Sequence, residues 1–304
     1  MIKRLLKGTS RTGPHGRRLG IEFRRDGVNV VVLEAGGGSQ EVVDAPGPAG
    51  WNAALKDWVA ERGMNGTPAA VVLQSSDYQL TRVDRPAVPA EELGQAVRWL
   101  LRDHEMAASD DTEIQVFAEP ASRTGDTALY VALAARGRLT SIAESVQAAG
   151  LSLGPIRIPE LMLTRLSARL PGPAQALVWL RADELRMVVC RSGLYCAGRC
   201  IPMRLEPESA ESGATISETL DAAREALRDL IDYSAQRYPL DDLQVRHAAE
   251  PGAPADVLDT LLEGLTPNKA QALDLAAAGM QTCGHPAAVW SLPAAIAAEE
   301  VAHA

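Results

Sequence analysis

Apolar residues first gather in strand-length runs. Residues 19–23 and 28–34 are two such runs. Arg25-Asp26-Gly27 between them predicts a hairpin, because an Asp-Gly pair readily supplies positive φ angles. Gly36-Gly37-Gly38-Ser39 predicts a second turn, and residues 40–44 a short third strand. Trp51, Leu55, Trp58 and Val59 then recur at helical spacing, which predicts a helix over Trp51–Glu61. Residues 69–73 read as a buried strand. The same order returns later. Residues 176–180, 185–190 and 194–201 read as strands, separated by the turns Ala182-Asp183-Glu184 and Arg191-Ser192-Gly193. A helix is predicted over Ile216–Arg237, opened by a Thr215/Glu218 capping box. Its apolar stripe comprises Ile216, Leu220, Ala223, Leu227, Leu230 and Ile231. A strand at 243–247 and a helix near 255–265 follow.

Between the copies lies a segment of different order. Residues 78–83 read as a strand, and Pro89 predicts a helix start, where its missing N–H has no consequence. Leu93, Ala96, Val97, Leu100 and Leu101 fall on one side of that helix. Strands at 113–118 and 128–134 are joined by the polar loop 122–126, and a helix at 138–149 presents Leu139, Ile142, Ala143 and Val146. Ile158-Pro159-Glu160-Leu161 leads into a helix expected to close the first lobe, and Pro171-Gly172-Pro173 marks a lobe boundary. The expected organisation is a basic tail at 1–18, a first lobe at 19–75 and 151–172, an αβ insert at 76–150, and a second lobe at 173–304. Two copies of hairpin, third strand, helix and strand are the order of a duplicated ribonuclease-H-like α/β domain. That duplication is the architecture of the actin-like ATPases.

Composition agrees with a globular chain. Of 304 residues, 46% are apolar and 23% charged, which excludes disorder and fibrous structure as the main state. No apolar run approaches the roughly 20 residues of a membrane-spanning helix. The apolar stretch in Met-Ile-Lys-Arg-Leu-Leu-Lys is too short for a secretory signal, so the protein is expected to stay where it is made. Charge is uneven: Lys3, Arg4, Lys7, Arg11, Arg17 and Arg18 stand in residues 1–18 with no acid, while residues 19–304 carry a net −15 (24 basic against 39 acidic). The acidic body argues against nucleic acid as a partner, because that binding rests on phosphate neutralisation. The basic tail can meet an anionic membrane surface or stay solvated; both readings stand. Cys190, Cys196, Cys200 and Cys283 lack metal-ligand spacing and read as small apolar residues of a reduced compartment.

Four segments resemble the PilM family of type IV pilus assembly proteins, and within it the branch serving the MSHA pilus. They are Leu19-Gly20-Ile21-Glu22-Phe23 with its second strand, Ser76-Asp77-Tyr78-Gln79-Leu80, the stretch from Val88-Pro89-Ala90-Glu91-Glu92 to Ala96-Val97-Arg98-Trp99, and Ile158-Pro159-Glu160-Leu161. The resemblance implies an actin-like fold at the cytoplasmic face of the inner membrane. It also implies binding of the cytoplasmic N-terminal peptide of a membrane-spanning, PilN-like partner, alongside other platform components. The nucleotide turns of that fold are degenerate here. Glu22 stands at the position of the metal-placing aspartate, and Arg24 replaces the close-approach glycine ahead of Asp26 and Gly27. The second turn, around Asp183, has neither glycine nor hydroxyl residue, and the glycines expected to hold adenosine would fall at His247-Ala248-Ala249-Glu250. The expectation is a pseudo-ATPase without cofactor. An active ATPase with an unusual site and a type II secretion platform component are the alternatives.

Other chemistry is thin. Gly36-Gly37-Gly38 is followed by no helix to complete a phosphate loop, so it reads as a hairpin turn. His15, His104, His247, His285 and His303 are scattered, no Gly-x-Ser-x-Gly elbow occurs, and Asp183-Glu184 and Asp241-Asp242 read as solvated turn carboxylates. Trp99 falls off the helix stripe, either as a partner anchor or packed on a neighbouring strand. Arg98 and Arg102, one turn apart, are either peptide-holding or solvated. Arg98, Trp99 and Arg102 are the expected partner-binding residues.

Overall fold

The computed structural model describes residues 16–24, 27–34, 37–45, 47, 50–102, 111–181, 183–203, 216–250, 253, 256–275, 278, 280 and 291–300. Asp26, Gly36, Thr215, Cys283, His15, His104, His285, His303 and tail residues 1–15 fall outside them. The chain forms two compact units. One takes the described residues of Met1–Glu119, Asp126–Pro159 and Pro293–Ala304, the other those of Pro120–Gly125 and Glu160–Leu292.

In the first unit, β1 (Arg18–Arg24), β2 (Gly27–Glu34) and β3 (Gly37–Asp44) form an antiparallel meander. After α1 (Trp51–Glu61), β4 (Pro68–Val72) pairs parallel to β1, and β8 (Ser152–Arg157) parallel to β4, giving the order β3-β2-β1-β4-β8. The second unit repeats this order and these directions with β9 (Ala174–Leu180), β10 (Glu184–Arg191), β11 (Leu194–Pro202), β12 (Gln244–Ala249) and β13 (Gln271–Ala272), as β11-β10-β9-β12-β13. Ser192 and Gly193 both hold positive φ, 52° and 72°, as a tight two-residue hairpin requires. The insert contributes β5 (Tyr78–Asp84), α2 (Leu93–Leu100), β6 (Thr112–Ala118), β7 (Ala128–Ala135) and α3 (Arg136–Ala148), with β7 central in an antiparallel β5-β7-β6 sheet. The remaining helices are α4 (Pro159–Ser167), α5 (Ile216–Arg237), α6 (Asp256–Leu262) and α7 (Leu292–Glu300). None of the described helices is long and apolar enough to cross a membrane.

Several elements differ from the sequence expectation, each for a physical reason. The third strand begins at Gly37, because Gly37 and Gly38 already pair with Glu34 and Leu33. Strand β8 contains Gly154-Pro155, which hides it from a strand pattern; it is tolerated at the sheet edge, where the pairing with β4 shifts register between Ala69 and Val71. Helix α2 starts at Leu93, with Pro89 opening the preceding turn, whose carbonyl accepts the Glu92 N–H at 3.1 Å. Leu93, Val97 and Leu101 bury against Leu129, Val131 and Leu133, leaving Leu100 outside the stripe it was expected to join. Helix α4 from Glu160 onward lies with the second unit, tied there by Glu160 to Arg186 and by the Cys190 thiol to the Thr164 hydroxyl at 3.6 Å. Helix α7, rich in small apolar residues buried on all sides, lies from Pro293 onward with the first unit, where Gly20 lets the Ala294 backbone approach β1.

Candidate functional site

In the first unit the end of β1 carries Glu22, whose side chain is fully buried. Its carboxylate accepts a hydrogen bond from the Gln74 side-chain amide at 2.9 Å and a long one from Asn29 Nδ2 at 3.5 Å. Gln74 is itself fixed by a reciprocal capping box with Asp77. Asp77 also accepts from Arg138 at 2.8 Å, and the Arg138 guanidinium lies 5.1 Å from the centre of the Trp51 ring. Glu22 is therefore held in a side-chain lattice rather than presented on a loop. Gly27 has a packing reason to be glycine: a Cβ there would stand 2.8 Å from the Val43 carbonyl oxygen of β3.

The corresponding turn of the second unit is built from charge turned inward. At the end of β9, Arg181 folds back at 2% exposure, 3.5 Å from Glu184 and 3.4 Å from Glu250, its guanidinium carbon 5.1 Å from the Trp179 ring centre. The Glu250 N–H donates to the Leu180 carbonyl at 2.8 Å, pinning the end of β12 to the end of β9. Glu184 pairs with Arg186 at 3.1 Å and accepts from the Cys200 thiol at the same distance; Arg186, 1% exposed, pairs in turn with Glu160. The result is a buried chain of alternating charge, Glu250–Arg181–Glu184–Arg186–Glu160. Burial alone would raise the Glu184 pKa, but Arg186, then Arg181, and the hydrogen bonds from Cys200 and Arg186 bring it down to about 2. Asp183 is exposed at the tip, with its carbonyl accepting the Met203 N–H at 2.8 Å.

Glu160, Arg186 and Glu250 escaped the sequence reading. One signal was there: Arg186 interrupts the apolar run from Leu185 to Cys190, and an arginine inside a buried strand requires a counter-charge. The other polar candidates stay quiet. Burial pushes the Cys190 thiol up to about 11, against the opposing effect of its hydrogen bonds with Ser167 and Thr164, so it is not a thiolate at neutral pH. His247 is half-buried, with its pKa lowered by burial against an opposing pull from Asp259. No three His, Cys, Asp or Glu side chains among the described residues converge as metal ligands.

On the insert, the three expected partner-binding residues part company. Arg98 Nη2 donates to the Thr112 carbonyl at 2.8 Å and so fixes the first residue of β6. Trp99 is 66% exposed and Leu100 53%, while the Arg102 guanidinium carbon lies 4.3 Å from the centre of the Trp99 ring. Within the described residues, β5 and β6 each pair only with β7, so both are edge strands of this sheet.

The duplicated five-stranded sheets define the class: the chain has the actin-like fold. It is similar over 95% of its length to a chain of the PilM–PilN type IV pilus biogenesis complex, covering 97% of that chain at 17% identity and a TM-score of 0.64. The cytoplasmic domain of EpsL, an inner-membrane component of the type II secretion system of Vibrio cholerae, matches with 92% of each chain covered, 14% identity and a TM-score of 0.51. A Bacteroides thetaiotaomicron protein with actin-like ATPase fold and unknown function matches over 92% of this chain and 95% of its own, at 10% identity and a TM-score of 0.51. No protein-family model and no curated protein sequence matches the chain.

Proposed function

We propose that this protein is a non-catalytic adaptor of a type IV pilus assembly platform, working at the cytoplasmic face of the inner membrane. Its partner is the cytoplasmic N-terminal segment of a PilN-like membrane protein. The observation that carries the reading is the likeness, over nearly the whole of both chains, to a chain of the PilM–PilN complex. The finer assignment, an MSHA-pilus component resembling MshI, rests on the sequence segments around Glu22, Asp77, Trp99 and Glu160. An extended segment would add as a strand to an edge strand of the β5-β7-β6 sheet, gaining main-chain hydrogen bonds while alternate side chains are read. The test is binding of the cytoplasmic N-terminal peptide of a PilN-like membrane protein, measured by calorimetry. Micromolar affinity is expected, and no heat at high micromolar peptide would sink the reading.

The pseudo-ATPase part is supported by the paired charges at the second turn and by the packing use of Gly27 at the first. Millimolar Mg-ATP or Mg-ADP is expected to leave Tm unchanged. A working site at 100 times its Kd would add about 2.7 kcal/mol of stability, an easily seen shift. A second reading, the cytoplasmic component of a type II secretion platform, is favoured by the likeness to the EpsL domain. The same calorimetry with the peptide of a secretion-platform partner separates the two.

A further inference from the structure

We propose that β6 is the strand that receives an extended peptide, pairing through the outward backbone groups of Ile114, Val116 and Ala118. This deepens the adaptor reading and rests on it. Hydrogen-bond parity decides which groups face outward, because alternate residues of an antiparallel strand turn their N–H and C=O to the partner. The Arg136 N–H donates to the Asp111 carbonyl at 2.7 Å, in register with the pairing of Thr112 to Ala135. Asp111, Glu113, Gln115 and Phe117 therefore bond towards β7, and Thr112, Ile114, Val116 and Ala118 turn away from it. Arg98 agrees with this parity, since its Nη2 donates to the outward Thr112 carbonyl at 2.8 Å. That guanidinium closes the edge at Thr112, so strand addition begins at Ile114. Among the described residues, none donates to or accepts from the outward groups of Ile114, Val116 and Ala118.

Edge strands are ordinarily guarded by charge, proline or a bulge against unwanted pairing. Asp44 on β3, Pro155 on β8, and a bulge with Pro202 on the β10–β11 edge are such guards. Strand β5 is guarded too. The Arg85 N–H donates to the Thr127 carbonyl at 3.2 Å, which by the same parity turns Tyr78, Leu80, Arg82 and Asp84 outward. A strand added there would lie against Arg82, ion-paired with Glu119 at 2.7 Å, and against the carboxylate of Asp84, which is almost wholly exposed. Residues 114–118 of β6 read Ile-Gln-Val-Phe-Ala, uncharged, β-prone and free of glycine and proline. Ile114 and Val116 are half-buried at the margin of the core beneath α2, and Ala118 is exposed. A partner strand would extend that margin. Its side chains level with Ile114 and Val116 are therefore expected to be apolar, and the one level with the exposed Gln115 polar.

The test is calorimetry of the full chain with the cytoplasmic N-terminal peptide of a PilN-like membrane protein. Val116→Pro removes an outward N–H and no bond to β7, and is expected to weaken peptide binding about tenfold or more. Leu80→Pro does the same to the β5 edge and should leave the affinity within about twofold of wild type. Hydrogen exchange of the wild-type chain gives a second reading that needs no variant. Saturating peptide should slow exchange across residues 112–118 and leave residues 78–84 unchanged. The proposal is overturned if the wild type binds the peptide while the slowing falls on β5 or on neither strand. It is equally overturned if folded Val116→Pro binds the peptide as the wild type does. Absence of wild-type binding removes the adaptor reading itself, and this one with it. A dimer broken by Val116→Pro, with no protection of β6 by the peptide, would assign the edge to a second copy and also overturn the proposal.

Discussion

Replacing Arg186 with methionine is expected to destabilise the second unit by about 3–5 kcal/mol, the range for removing one partner of a buried ion pair. The loss is large because Arg186 stands between two largely buried carboxylates, Glu160 and Glu184. Without it, Glu160 loses its arginine, and Arg181 is left between Glu184 and Glu250. The carboxylates would then be driven towards protonation, and the hydrogen bond from Cys200 to Glu184 would have to rearrange. Urea unfolding of a two-unit chain need not be one transition, so the loss should be located by hydrogen exchange across β9, β10 and β11. A companion variant decides the cause. Glu160→Leu, Glu184→Met and Arg186→Met together leave the Arg181–Glu250 pair balanced one to one, and should recover most of the loss. A loss below about 1 kcal/mol in the single variant would mean that the chain of charges is solvated like a surface pair.

Gly20→Ala is expected to release helix α7 from the first sheet, at a loss of about 3 kcal/mol or more, the upper end of the overpacking range. A Cβ at this position would stand inside the van der Waals envelope of the Ala294 carbonyl. The obstacle is backbone, so no rotamer change on the helix relieves it, and Ala294→Gly should fail to rescue the variant. Faster hydrogen exchange throughout α7 is the expected signature. Rescue by Ala294→Gly, or unaltered exchange, would refute a backbone clash.

Much of the architecture was legible because it is written in short-range patterns. Trp51, Leu55, Trp58 and Val59 placed α1 at its observed bounds, and the apolar stripe of α5 did the same over Ile216–Arg237. The two hairpins ordered the sheets because turn chemistry and strand length are local properties. Two elements gave no such signal. Strand β8 carries a glycine and a proline in its middle and is possible only because it lies at a sheet edge. Helix α7 has no polar face through its middle, so periodicity could not find it; its small side chains make sense only against β1. Leu100 shows the reverse error: spacing alone assigned it to the buried side of α2, whereas the sheet below takes only Leu93, Val97 and Leu101.

The candidate site divides along the same line. From the sequence alone follow the duplicated α/β architecture, the places of the two hairpin turns, and the absence from them of phosphate-binding residue types. Those are properties of residues close together in the chain. What those turns hold instead was decided by the tertiary structure. Glu160 meets Arg186 across 26 residues, and Glu250 reaches Arg181 only because β12 lies beside β9. A charge can be buried only where its counter-charge arrives, and strand order, which brings distant residues together, sets that place.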